Sequence, residues 1–435
     1  MKNPRFLFYI SFFLILILAQ TKAAAISLTD TSESLSEVFE NLVDNNEGSF
    51  SFPSLLIPVG GRAESLGGAY TGYGSDISFM NYNPAASSIQ QETQFSIFHN
   101  SWIADSKMET VAYTTRFKNL GFGSQVQCFY LPFTEYNFIG ERTAGSYYSE
   151  TFVNFNFSYN FLAGYDFKGI AVGGNLKAGW RGMPDYTDKD TNALIAGSGL
   201  SQSGFALMAD LGLMMQFNVF KVLFRSRSPN LKIGLSIQNL GFALTGFSKQ
   251  VTADNPLPTA VCIGFSYKFF PFMTLSADFR QPFNLQDITQ LPKFSLAVGT
   301  DFNITKNFSL MAGFNLKGAN PKISLGTEVQ LNKLCLNLNY TLDLASSVNP
   351  MNRISLSAKI ILGDRGRSND LSRIDELYQR GLDYYCNSEW EAAIAAWEEI
   401  LKIDSSYDPA ILGIESARSQ LELYNKVKEG LFFEQ

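Results

Sequence analysis

Charge is scarce in this sequence: Asp, Glu, Lys and Arg make up 17% of its 435 residues, and acids outnumber bases to leave a formal net charge of -6. A cationic surface for a phosphate backbone is therefore missing, which excludes nucleic acid as an expected partner. Histidine occurs once, as His99, so imidazole chemistry has a single candidate. The four cysteines, Cys128, Cys262, Cys335 and Cys386, lie far apart with no C-x-x-C spacing. They indicate neither a zinc site nor a disulfide framework and read as free thiols. No metal or cofactor is called for.

Long apolar runs are also missing. The one such stretch, Phe6 to Ala19, follows Lys2 and Arg5 and precedes Ala23, Ala24 and Ala25. It falls short of the roughly 20 residues of a spanning helix and has the layout of a secretory signal peptide. Residues 1–25 are therefore expected to be a signal peptide, with the mature chain starting near Ile26. Residues 26–50 form an acidic leader to which no role is assigned.

Rings, by contrast, are abundant, with 38 Phe and 19 Tyr. From about residue 94 to 363 they fall in segments of two-residue alternation. Val153, Phe155, Phe157, Tyr159 and Phe161 share one face while Asn154, Asn156, Ser158 and Asn160 share the other. Ile354, Leu356, Ala358, Ile360 and Leu362 likewise oppose Arg353, Ser355, Ser357 and Lys359. A soluble sandwich and a membrane barrel both alternate in this way. Strand length separates them, because these segments approach the roughly 9 to 11 residues that a tilted strand needs to cross a bilayer, against about 5 or 6 in a sandwich.

The expected fold is mainly β: an antiparallel transmembrane barrel of about 14 strands over residues 94–363. Short connections (Lys118-Asn119, Pro271-Phe272, Thr305-Lys306, around Asn332) alternate with long ones (132–149, 181–203, 244–257). Short turns face the periplasm in bacterial barrels. The segments before Phe95 and after Gly363 are then both expected on that side. Trp102, Tyr130, Tyr147, Tyr148 and Trp180 near strand ends read as an aromatic girdle.

After a linker at 364–370 the pattern turns helical. Within 371–435, Gly381, Tyr384, Ala393 and Trp397 have the spacing of a tetratricopeptide repeat, in which small residues let two helices approach and rings fill the groove. Ile400 and Ser405 depart from the repeat's usual small residue and Pro. About one and a half repeats are present where about three are normally needed, so this helical domain is expected in the periplasm, docked on the barrel or on a protein partner.

Residues 51–93 precede the first strand yet are rich in Gly and small residues. They carry Gly60-Gly61-Arg62, Gly67, Gly68, Ala69, Asp76 and then Asn83, Pro84, Ala85. With His99-Asn100-Ser101-Trp102 and Asn239-Leu240-Gly241, this stretch resembles the FadL-type family of outer-membrane transporters for long-chain fatty acids and other hydrophobic molecules, and within it the PorV/PorQ-like branch. The resemblance spans most of 52–363. It implies a 14-strand barrel whose N-terminal segment is a hatch inside the lumen, and passive, hatch-gated uptake of hydrophobic small molecules from the outer-membrane lipid. The rival expectation is a PorV-like scaffold that holds secreted or periplasmic proteins through its loops and C-terminal helices. His99 and Ser101 share one side of a strand, as base and nucleophile do in outer-membrane phospholipases. The sequence does not identify a third, orienting residue, and the chain is not expected to be an enzyme.

Overall fold

The computed structural model describes residues 50–432, apart from 137–138, 165–166, 189–192, 220–228, 248–249, 290, 319 and 345–351. The expected signal peptide, and the leader up to residue 49, lie outside the described residues.

Fifteen strands follow in chain order: β1 (Thr93–Ser101), β2 (Lys107–Phe117), β3 (Leu120–Tyr136), β4 (Arg142–Ala163), β5 (Lys168–Gly182), β6 (Gly204–Phe217), β7 (Leu231–Thr245), β8 (Thr252–Ala253), β9 (Thr259–Phe270), β10 (Met273–Phe283), β11 (Ser295–Thr305), β12 (Phe308–Lys317), β13 (Asn320–Leu331), β14 (Leu334–Asp343) and β15 (Arg353–Gly363). β8 is a two-residue side bridge on β7. The others pair antiparallel in chain order, and β15 pairs with β1, so the sheet closes into a barrel of fourteen strands. The sandwich is excluded by that closure, which leaves no free edge.

The period-two pattern assigns the faces. Phe155 (63% exposed), Leu176 (68%), Leu325 (55%) and Ile354 (55%) point outward, whereas their inward neighbours Asn154, Asn156, Asn175, Ser324 and Ser355 are buried. So continuous an apolar exterior is a lipid-facing surface. Among the described residues no helix is long and apolar enough to cross a membrane, and the crossing is made by strands.

Two expectations about the ends of the barrel are corrected. Residues 132–149 are mostly strand, because alternation continues past the rim and Pro132 still pairs with Tyr147 and Glu135 with Ala144. β2 and β5 stop lower, at Lys107 and Gly182, so this hairpin projects beyond its neighbours. Within it Tyr148 is not a girdle residue: it shares the inward parity of Glu150, to which its hydroxyl donates. Tyr147 does face outward, and Trp180 packs on Phe247 with centroids 5.5 Å apart. In the long β5–β6 connection Gly199 and Gly197 donate N–H groups to Asp185 at 2.7 and 3.0 Å, which holds its carboxyl below the ordinary aspartate range.

Three helices follow the barrel: α2 (Arg367–Cys386), α3 (Trp390–Ile403) and α4 (Asp408–Phe432). Label α1 is kept for a single turn before the barrel, Gly61–Ser65. Trp397 is the centre of the helical core, with Ile374, Leu377, Ala393, Ile400, Tyr407 and Ala410 around it. A Cβ on Gly381 would fall 2.2 Å from the indole nitrogen, so only glycine lets α2 reach that ring. Gly413 on α4 meets the other side of the same indole, where a Cβ would lie 2.8 Å away. Ala393 is fully buried and Tyr384 partly so, packed against the same cluster.

Candidate functional site

Residues 51–90 lie inside the barrel and hydrogen-bond to inward-facing groups on most of its strands. The path follows glycines in the wall. In chain order, Ser65 presses on Gly326 of β13, Leu66 on Gly299 of β11, and Gly67 on Gly313 of β12. Gly72 then meets Gly264 of β9, Thr71 meets Gly234 of β7, and Asn83 meets Gly212 of β6. Ala85 meets Gly173 of β5, and Ser87 and Ser88 meet Gly121 of β3. At each of these a Cβ on the wall glycine would come within 2.8 Å of the segment. The segment is therefore a coil laid once around the inner wall, and it needs glycine there because its backbone, or at Gly326 and Gly212 its side chains, approaches that closely.

Each residue singled out in the sequence has a place in this coil. Gly67 and Gly68 take φ of 65° and 89° in the turn after α1, and Ala69 is fully buried behind them. Asp76 caps the next helical turn by accepting the N–H of Ser78 at 3.0 Å. It also accepts the Tyr70 hydroxyl at 2.6 Å and the Lys359 ammonium at 2.9 Å. Asn83 donates to the carbonyls of Thr71 and Leu213 at 2.9 and 3.1 Å and accepts the N–H of Ala85 at 3.1 Å. Pro84 presents its carbonyl to the Asn156 amide at 2.9 Å, and Ala85 is fully buried.

Of the charges that fasten the coil, Arg62 and Asp76 were named in the sequence motif, but Glu64 and the partners on the wall were not. Glu64 takes the Arg353 guanidinium at 2.5 Å and the Ser355 hydroxyl at 2.6 Å. Arg62 reaches Glu328 at 2.6 Å and Asp301 at 3.3 Å. Asp278 accepts the N–H groups of Tyr70 and Thr71 at 2.9 and 2.6 Å. One signal for them was available: a charged residue at an inward position of a membrane strand is costly unless paired, and so marks a site.

Asn239-Leu240-Gly241 also has a structural meaning. Asn239 has φ 56°, and the β6–β7 register shifts opposite it between Ala209 and Leu211. The N–H of Asn239 donates to Asp210 at 2.8 Å, and Lys177 reaches both Asp210 (2.6 Å) and the Asn239 side chain (3.0 Å). The β7–β9 ladder ends at Gln238, one residue earlier.

The remaining interior is divided by polarity. On the long-connection side of β1–β7 the apolar inward residues gather, Phe98, Met108, Phe129, Phe152, Ala206, Met208 and Ala243, with the polar Asn100, Thr110, Gln127 and Glu150 set among them. Below them, and along β9–β15, the inward residues are mostly polar or charged. Val59, Ile77, Phe79 and Met80 of the coil pack against Phe98, Met108 and Phe129, which joins coil and wall in one apolar core. A small cavity lies there between Val59, Ile77, Asn81, Tyr82, Phe98 and Gln125.

The coil also enters from the opposite end to that expected. Ser51 donates its N–H to the carbonyl of Pro256 at 2.9 Å and its hydroxyl to that of Asn255 at 2.8 Å, in the β7–β9 connection. Near Gln91 it leaves on the short-turn side, where Arg367 donates to the carbonyls of Gln91 and Arg116. Strand parity fixes where β1 starts, but not how far the preceding chain travels through the lumen.

His99 faces outward, and its Nδ1 lies 2.7 Å from Glu109 on the adjoining strand.

Residues 26–365 match the model of an uncharacterised protein family, UPF0164. A UPF0164 protein of Treponema pallidum (strain Nichols) is 30% identical over 87% of this chain and 85% of its own length. Another from the same organism is 25% identical over 86% and 77%. Among solved structures, the Ralstonia pickettii toluene transporter TbuX shares 14% identity over 70% of this chain and 97% of its own, with a TM-score of 0.46. The CymD monoaromatic hydrocarbon channel shares 15% over 72% and 99%, also at 0.46. Structural likeness at that level carries no argument about activity.

Proposed function

We propose, for a chain that belongs to the uncharacterised protein family UPF0164, passive uptake of hydrophobic small molecules across the outer membrane. The observation that carries this reading is the apolar lining beneath the long connections, from Phe98 and Met108 through Phe129 to Phe152 and Met208. A pore for polar solutes needs a wet lumen, whereas these side chains give the upper interior an apolar surface, packed in part against Val59, Ile77, Phe79 and Met80 of the coil. Long-chain fatty acids are one cargo class, and single-ring hydrocarbons, as for the similar toluene transporter and monoaromatic hydrocarbon channel, are another. The internal coil is the barrier to free diffusion. Its charged part, 61–90, stays fastened, and the part that moves is the stretch 51–60.

The short turns, Gly363 and the C-terminal helices belong on the periplasmic side. Arg365 supports a fixed joint there: its guanidinium lies 3.8 Å from the Phe117 ring centroid and donates to Thr115 at 3.0 Å. A scaffold role of the PorV/PorQ kind draws on one observation, the exposed Leu412, Leu423, Tyr424 and Val427 along α4, a surface for a periplasmic protein.

Expression in a Gram-negative host lacking its own uptake barrels for hydrophobic molecules tests the main reading. Labelled oleate or toluene should enter several-fold faster than in cells with the empty vector. An unchanged rate for both, with folded protein in the outer membrane, overturns it and leaves the scaffold, which copurification with a periplasmic protein would then support.

A further inference from the structure

Phe52 sits at the start of the internal coil in a conformation that demands an explanation. Its backbone is left-handed, with φ 54° and ψ 60°, and its side chain is fully buried. A bulky residue rarely adopts that region, and persists there only where its surroundings hold it. Anchors on both sides do so. Ser51 is tied to the carbonyls of Asn255 and Pro256, and Ser54 donates its N–H to Glu150 at 3.1 Å and its hydroxyl to the same carboxylate.

The ring fills a compartment of its own, apart from the main core. Its walls are Phe152, Ala206, Met208 and Ala243 from the barrel and Leu257 from the β7–β9 connection. Phe152 meets the ring edge to face with centroids 5.6 Å apart, and the Arg181 guanidinium stands 5.4 Å from the centroid. Gly179 completes the floor: a Cβ there would lie 2.6 Å from the Phe152 ring and 3.6 Å from that of Phe52.

We infer that this compartment is a binding site for a single-ring aromatic molecule, and that Phe52 is its built-in occupant, displaced when the ligand enters. Ala206, Ala243 and Gly179 line the space that the Phe52 ring fills, and an apolar space vacated by a ring accepts a benzene-like guest. The edge of Phe152 and the cation of Arg181 both favour a π face over an alkyl chain. The strained backbone at Phe52 lowers the cost of leaving. The route to the site rests on the uptake reading above; binding itself does not.

The test titrates 4-fluorotoluene into the purified full chain in mild detergent, followed by 19F NMR, for the wild type and for Phe52→Ala, Phe52→Gly and Phe52→Leu. Glycine removes the ring and the strain together, and leucine keeps most of the packing should the smaller residues fail to fold. Folded variants should bind one equivalent at least tenfold more tightly than the wild type, leucine with a smaller gain. Ala243→Phe added to Phe52→Ala, refilling the space from the wall, should return the affinity to the wild-type level. Laurate should show no such gain. A folded Phe52→Ala without tighter binding overturns the inference, and so does an equal gain for laurate. If binding is not gained while cells still take up toluene, the site fails and the uptake reading stands. If binding is gained without uptake in cells, the site stands and the uptake reading fails.

Discussion

Glu64 shows what single residues do here. Its carboxylate is buried with Arg353, Ser355 and Thr341, residues 277 to 291 positions away in sequence. Removing one member of a buried ion pair leaves its partner charged and unpaired, at a cost of about 3–5 kcal/mol. Glu64→Ala should therefore lower the free energy of unfolding in detergent, measured by urea titration, by an amount of that order. Arg353→Met in the same background should recover part of it, because the orphaned cation is then gone. If the double variant is as unstable as the sum of the singles, the pair is not coupled. The polar alternation of the last strand made Arg353 legible as an inward residue. Nothing in the sequence named Glu64 as its partner, since no local pattern links residues so far apart.

At the scale of elements, the contrast is between the part of the internal coil fastened by ion pairs, 61–90, and the part held by hydrogen bonds, 51–60. Ser87 and Ser158 stand with hydroxyl oxygens 2.5 Å apart, the coil against β4. Because the two hydroxyls touch, cysteines at both positions bring their sulfurs together for oxidation to a disulfide. The oxidised Ser87→Cys, Ser158→Cys double variant should transport at the rate of its reduced form, because residues 61–90 stay on the wall. A loss of uptake on oxidation, restored by reductant, would show that this part moves. The existence of the coil was readable from glycines and small residues ahead of the first strand. Its circumferential course was not, because wall glycines such as Gly121 and Gly313 look like ordinary strand glycines until the barrel closes around them.

At the scale of the whole molecule, β1 pairs with β15, so the barrel is complete at Gly363 and the helices lie beyond its closure. Their own core, centred on Trp397, shares no residue with the barrel interior. A chain ending at residue 370 retains Arg365 and Arg367 and should fold, with an unchanged β-type circular dichroism spectrum and unchanged uptake of toluene. Loss of uptake with the barrel intact would assign the helices a part in transport.

The sequence by itself determined that the chain is stranded from about residue 94 to 363, though not how far the β3–β4 hairpin continues past the rim, together with the alternation of the faces and the place where strand gives way to helix. Those are consequences of a two-residue period, which every short window of chain carries. Only the tertiary structure decided the direction of the coil through the lumen, the pairing of Glu64 with Arg353 and of Arg62 with Glu328, and the compartment around Phe52. Each of these joins the segment before β1 to strands far along the chain. Such contacts exist only once the barrel has closed, because they depend on which inward positions come to the same height.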